Sequence, residues 1–175
     1  MSPHGGGLKS RDRKFTFCLN KKWQDGIKQP FIWDLQKTTH ILVAGITGGG
    51  KTTLAQTVIN QLLNTNMEIT ICDFKAGGDW DGIVADYSEY TDCDEALDRF
   101  YKSFCETIAE KEHRDKLLLF DEFSSYALSK DNTKDFKEMM AKVSHIAFMG
   151  RSFGYHLLFI SQQFNAKVLD TAIRE

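Results

Sequence analysis

Two rhythms of apolar and polar residues alternate along most of this chain. Compact apolar runs at 40–44, 68–73, 116–121 and 155–161 predict strands, and longer segments at 51–64, 93–114 and 135–149 read as helices. The 93–114 segment is the clearest case, with Ala96, Leu97, Phe100, Tyr101, Phe104 and Ile108 at helical spacing. Such a stripe is better read as a sheet-facing core surface than as a ligand surface. Regular alternation of strands and helices predicts an α/β fold, a mostly parallel twisted sheet with helices on both faces. A glycine-punctuated loop is expected from the end of strand 68–73 through Gly82. Upstream, 15–19 and 31–35 read as short strands with Lys28-Gln29-Pro30 as a break between them, making 15–37 a short β-rich lead-in. Residues 1–14 read as a disordered or tag-like arm, and 15–175 as one domain. No internal repeat is visible.

The first strand delivers the chain into Gly45-Ile46-Thr47-Gly48-Gly49-Gly50-Lys51-Thr52, a full G-x-x-x-x-G-K-[ST] match. Glycines at 48, 49 and 50 let consecutive backbone N–H groups turn toward one anion, where a Cβ would obstruct. The helix that follows adds its partial positive charge, Lys51 can reach the β/γ-phosphates, and the Thr52 hydroxyl can ligate Mg²⁺. A glycine-rich turn matching by chance would lack the strand before and the helix after. The nucleotide contacts are therefore assigned to Gly45, Thr47, Gly48, Gly49, Gly50, Lys51, Thr52 and Thr53, with ATP and Mg²⁺ as the implied ligands.

Hydrolysis needs a second element that supplies metal and base. The run Lys116-Leu117-Leu118-Leu119-Phe120-Asp121-Glu122 ends an apolar strand in two adjacent carboxylates. Asp121, at the strand's carboxyl end, can hold the Mg²⁺ hydration shell, and Glu122 can orient and polarise the attacking water. The alternative is a solvated acidic pair capping a buried strand; the complete phosphate loop argues against it.

Composition narrows the picture further. The chain has 175 residues, 42% of them hydrophobic, which suits one domain with a sizeable core. No apolar stretch approaches the ~20 residues of a membrane span, and the N-terminus lacks a signal-peptide core, so a cytoplasmic setting is expected, at most at the inner face of a membrane through partners. Cys18, Cys72, Cys93 and Cys105 are dispersed and signal neither a zinc site nor a disulfide framework; they read as packing residues. Residues 1–40 carry eight Lys/Arg against three Asp/Glu, and the remainder 14 against 21, for a net −2. The basic amino-terminal stretch is either a solvated segment or a contact for phosphate backbone or an acidic partner. A chain of this net charge engages DNA only through a local patch or through several copies lining a channel.

The final third runs from a helix end through Met149-Gly150-Arg151 into an apolar strand finishing in Ser161-Gln162-Gln163. Gln162 is either a polar strand terminus or a hydrogen-bonding sensor of the γ-phosphate or attacking water. From the residues alone, Arg151 reads as a helix C-terminal cation satisfying the last carbonyls.

Taken together, Pro30-Phe31-Ile32-Trp33-Asp34-Leu35, the strand and phosphate loop, Cys72-Asp73-Phe74-Lys75, Leu119-Phe120-Asp121-Glu122-Phe123, and Gly150-Arg151 through Gln162 resemble the motor domain of FtsK/SpoIIIE-type DNA translocases. The resemblance extends from about residue 30 to the end. It implies a RecA-like P-loop NTPase fold with the Gln162 strand inserted between the two nucleotide-binding strands. It further implies a ring, usually a hexamer, around double-stranded DNA, with Arg151 acting as an arginine finger on the neighbouring subunit's nucleotide and Gln162 as the γ-phosphate sensor. Membrane-anchored or relaxosome partners would accompany such a motor in DNA transfer. The chain departs from the family at Phe74, where proline is common, and at Gln163-Phe164, where Arg-Pro is common, leaving the roles of Lys75 and Gln163 open. Family motor domains also continue beyond the point matching Glu175, so the sequence reads as a C-terminally truncated or minimal form, closer to a mobile-element transfer protein than to a chromosome-segregation pump. A GTPase is disfavoured by the lack of an Asn-Lys-x-Asp run, and a small-molecule kinase by the lack of an arginine-rich lid after Asp121. The remaining rival is a nucleotide-binding assembly subunit of a secretion or packaging machine that does not itself move DNA.

Overall fold

The structure is a computed structural model and describes residues 13–22, 27–83, 85–130 and 132–164. Five parallel strands form the central sheet: β3 (His40–Ala44), β4 (Glu68–Asp73), β5 (Asp86–Glu89), β6 (Lys116–Asp121) and β7 (Tyr155–Ser161), in the order β3-β7-β6-β4-β5. A hairpin of β1 (Lys14–Lys22) and β2 (Ile27–Asp34) stands apart from the sheet as an antiparallel pair. The connections contain α1 (Lys51–Leu62), α2 (Asp92–Glu110), α3 (Phe123–Leu128) and α4 (Thr133–Phe153).

Every residue of β7, and all but the first of β6, is buried, which is why these runs are continuously apolar rather than alternating. Successive side chains point to opposite faces and feed two cores. Leu118, Phe120, Leu157 and Phe159 pack with α2, α3 and α4, whereas Leu117, Leu119, Leu158 and Ile160 pack with Ala55, Val58, Ile59 and Leu62 of α1 and with Phe15 and Trp33 of the hairpin. The predicted stripe of α2 lies against the first core, with Ala96, Leu97, Phe100 and Phe104 buried. The hairpin is fastened to α1 by Gln61, whose side chain accepts from Thr16 N at 3.0 Å and donates to Thr16 O at 2.9 Å.

The α/β architecture with helices on both faces is thus as expected, and β7 separates the phosphate-loop strand β3 from β6. Four sheet strands have the predicted bounds. The differences are local. Strand β5 and helix α3 were not anticipated; α2 stops at Glu110 because Lys111 turns left-handed (φ 56°); and α4 is longer than expected at both ends. Its start is set by Asn132, whose side chain accepts from Lys134 N and Asp135 N. Cys72 and Cys93 are buried and Cys105 half-buried, each a free thiol. The amino-terminal arm, except Arg13 and Lys14, lies outside the described residues, as do 165–175; Cys18's side chain lies outside the description too. Arg13 is 3.5 Å from Asp115, and Lys14 is 3.7 Å from Asp34.

Two histidines lock the strand that leads into the phosphate loop. One His40 nitrogen, Nε2, donates to Ala147 O of α4 (3.1 Å), while Nδ1 accepts from Leu157 N of β7 (3.1 Å). His156, 3% exposed, donates from Nδ1 to Thr39 O (3.1 Å), with Arg13, His113 and Asp115 facing it. Burial lowers both rings to about 4. The folded state therefore keeps them neutral where the unfolded chain protonates them, so the stability they confer is complete above about 6.5 and is lost as pH falls toward about 4. Denaturant unfolding at pH 7 and pH 5 is expected to differ by about 2 kcal/mol for His156 and somewhat less for the half-buried His40. A His156→Gln variant, already weakened at pH 7, is expected to show a shallower pH slope; an unfolding free energy flat across this interval would contradict the assignment.

Candidate nucleotide-binding site

The phosphate loop takes its shape from glycine. Gly48 (φ 74°) and Gly50 (φ 78°) are left-handed, a region that costs L-residues about 1 kcal/mol or more, and Gly50 is the N-cap from which α1 springs. A turn bond from Gly49 N to Ile46 O (3.1 Å) closes the loop, and Leu54 N bonds Gly50 O (2.9 Å) as the helix begins. The free N–H groups at the start of α1 and the helix dipole thereby face one cleft. Lys51 folds over the loop, its ammonium donating to Gly45 O (2.8 Å) and Ile46 O (3.1 Å).

Across the cleft, β6 ends in Asp121, which is 5% exposed. Its Oδ2 accepts from the Thr52 hydroxyl at 3.2 Å and from Trp80 Nε1 at 3.1 Å. Burial pushes the Asp121 carboxyl up, opposed by the Trp80 and Thr52 hydrogen bonds and reinforced by Asp73 and Glu122. Asp73 stands directly opposite Asp121 in the β4–β6 register and accepts from the N–H groups of Lys75, Ala76 and Gly77, each at 3.1 Å. Glu122 is left-handed (φ 59°) without being glycine, a strained state that bends the chain sharply between β6 and α3 and leaves its side chain on the cleft wall. The surroundings fix that bend: Phe123 is buried and Ser124 Oγ donates to Gln163 O at 2.7 Å. A hydroxyl and a carboxylate are hard oxygen donors of the kind Mg²⁺ takes, and a cluster of carboxylates around a buried Asp favours a dication. The residues present fit a magnesium ion held with the phosphates.

The resulting cavity, about 280 Å³, is lined by Thr47, Gly48, Gly50, Lys51, Thr52, Thr53, Lys75, Asp79, Asp121 and Glu122. The structure thus brings together nearly all the residues assigned from sequence to phosphate, metal and base. Gly45 and Gly49 shape the loop without lining the cavity. Gln162 is exposed just beyond β7; since Ala44 pairs with Ser161, it sits beside Gly45, at the loop's root. Arg151 is not brought to the cleft. It lies exposed in the last turn of α4, at the end of the sheet where β7 begins, and β7 itself spans about 20 Å. Lys75, left open by the sequence, is on the cavity wall. Asp79 and Trp80 were missed altogether; the only sequence signal was an aromatic residue inside a polar, glycine-rich loop.

Residues 8–77 match the FtsK/SpoIIIE family. An FtsK domain-containing protein, YdcQ of Bacillus subtilis (strain 168), is 25% identical over 162 residues, an alignment that takes in 82% of this chain and 34% of that protein. The chain is thus similar to FtsK/SpoIIIE-family proteins over its amino-terminal part and to an FtsK domain-containing protein over most of its length. Its fold recurs in the pCW3 conjugation coupling protein TcpA, solved as a monomer with ATPγS (TM-score 0.73, 18% identity, 94% of this chain and 52% of that one). It recurs also in the cytoplasmic domain of EccC, a type VII secretion ATPase of Thermomonospora curvata (TM-score 0.70, 23% identity, 94% and 23%). The chain therefore spans about a third of the length of its curated relative and about half or less of these solved chains. The fold is an α/β fold matching that of these ATPases, and among the described residues no helix is long and apolar enough to cross a membrane.

Proposed function

We propose that this chain, as an FtsK/SpoIIIE-type domain, binds and hydrolyses ATP as the motor of a double-stranded DNA translocase acting in DNA transfer or segregation. The observation that carries this reading is the convergence of Lys51, Thr52, Asp121 and Glu122 on one cleft at the N-terminus of α1. In it, the loop N–H groups and Lys51 hold the β- and γ-phosphates. Thr52 and Asp121 hold Mg²⁺, which offsets phosphate charge when bound, and Glu122 orients the attacking water. Gln162 contacts the γ-phosphate from beside the loop. Arg151, out of reach of its own cleft, completes the site of an adjacent copy in a ring, a hexamer by the family resemblance.

DNA engagement in this reading is electrostatic and depends on assembly, because a net charge of −2 gives one copy little attraction for a polyanion. Binding of a labelled duplex is expected to be weak for the monomer, to rise on oligomerisation, to fall steeply between about 50 and 200 mM salt, and to ignore sequence scrambling. Tight, salt-insensitive binding of a monomer to one sequence would instead indicate a site-specific DNA-binding regulator. The likeness to the secretion ATPase EccC supports a second reading, an ATP-dependent assembly subunit that does not move DNA. Duplex DNA would then leave hydrolysis unchanged.

A further inference from the structure

Trp80 is packed among the apolar residues between the sheet and α1, 1% exposed, yet its indole N–H is spent on Asp121 Oδ2 at 3.1 Å. The same oxygen accepts from Thr52 at 3.2 Å. Two donors, one from α1 and one from the β4–β5 connection, fix the carboxylate's rotation and leave Oδ1 as the atom with free acceptor capacity. The segment that carries Trp80 is itself anchored. Asp73 holds its first backbone N–H groups, and Gln56 of α1 donates to Asp79 O. These ties place Lys75 and Asp79 on the wall of the same cavity.

We propose that Trp80 is a positioning residue for the metal-binding carboxylate, orienting Asp121 through its indole N–H and coupling segment 74–83 to occupancy of the metal site. The inference rests on the reading of this cleft as a Mg·ATP site. A tryptophan present only to fill the core would need any acceptor; here the acceptor is the carboxylate at the centre of the cleft, 41 residues away in sequence.

The test is the gain in ATPγS affinity that Mg²⁺ confers, measured calorimetrically on the 175-residue chain with Mg²⁺ and with EDTA. Trp80→Phe keeps the ring and removes the donor. Its Mg²⁺-dependent gain is expected to fall about five- to tenfold, the range for losing a hydrogen bond to a charged group, with metal-free affinity unchanged within about twofold. Trp33→Phe, which removes an indole donating to Thr38 O elsewhere in the same core, is expected to leave the gain intact. An unaltered gain in folded Trp80→Phe protein overturns the inference. Should that variant fail to fold, the wild-type protein decides: among its three tryptophan indole N–H resonances, Trp80's, identified as the one broadened first by Mn²⁺ with ATPγS, should shift when Mg²⁺ is added to the ATPγS complex. An indole signal indifferent to Mg²⁺ overturns the proposal. If wild-type chain shows no Mg²⁺-dependent ATPγS binding at all, the reading of the cleft fails and this inference with it.

Discussion

Glu122→Gln protein is expected to bind ATP as tightly as wild type and to lose turnover by about 10²–10⁴-fold, the usual cost of removing a positioned base. The substitution is nearly isosteric, so the left-handed bend at 122 and the packing of α3 are expected to survive while the carboxylate proposed to polarise water is lost. Lys51→Ala provides the contrast. Its ammonium arches over the loop, from where it can swing to the phosphates, so its loss is expected to weaken nucleotide binding itself. Equilibrium binding of a fluorescent ATP analogue, set beside steady-state phosphate release, separates the two. Equal hydrolysis by Glu122→Gln and wild type would remove Glu122 from the role of base.

Arg151→Ala is expected to lower hydrolysis in the assembled state by about 10³–10⁵-fold if its guanidinium acts on a neighbouring copy's nucleotide. The topology makes this an unusually clean case, since β7 separates Arg151 from the cleft of its own chain. Mixing Arg151→Ala with Glu122→Gln subunits is expected to restore part of the activity, because a shared interface can then combine an intact finger with an intact base. Failure of every mixing ratio, with mixed oligomers verified, would leave Arg151 as a helix C-terminal cation and nothing more.

The parts of this molecule that were legible in its sequence are those in which local pattern and tertiary environment agree. Strands β3, β4, β6 and β7 are apolar because three of them run through the middle of the sheet and the fourth feeds the loop. The phosphate loop and the Asp121-Glu122 pair were legible because their chemistry demands particular residues at fixed spacing. Strand β5, Asp-Tyr-Ser-Glu, was hidden because it lies at the sheet edge with only Ser88 buried; its extended form comes from pairing with β4, not from its own composition. Helix α3 has six residues, too few for a period to show, and follows a left-handed Glu122 that no local rule announces. The true end of α2 was hidden for a similar reason, Lys111 taking the left-handed cap where glycine would have signalled it. Trp80 meets Asp121 only because the β4–β5 connection folds back over α1, a long-range closure that hydrophobic periodicity does not encode.

The central claim, that this cleft hydrolyses ATP in the service of moving duplex DNA, is tested most directly by phosphate release from wild-type protein with and without double-stranded DNA, at protein concentrations where assembly has been verified. The account predicts Mg²⁺-dependent hydrolysis that rises several-fold on adding duplex DNA, irrespective of its sequence, and that disappears in Glu122→Gln. Hydrolysis that is present, requires Glu122 and is indifferent to duplex DNA in the assembled protein would contradict it.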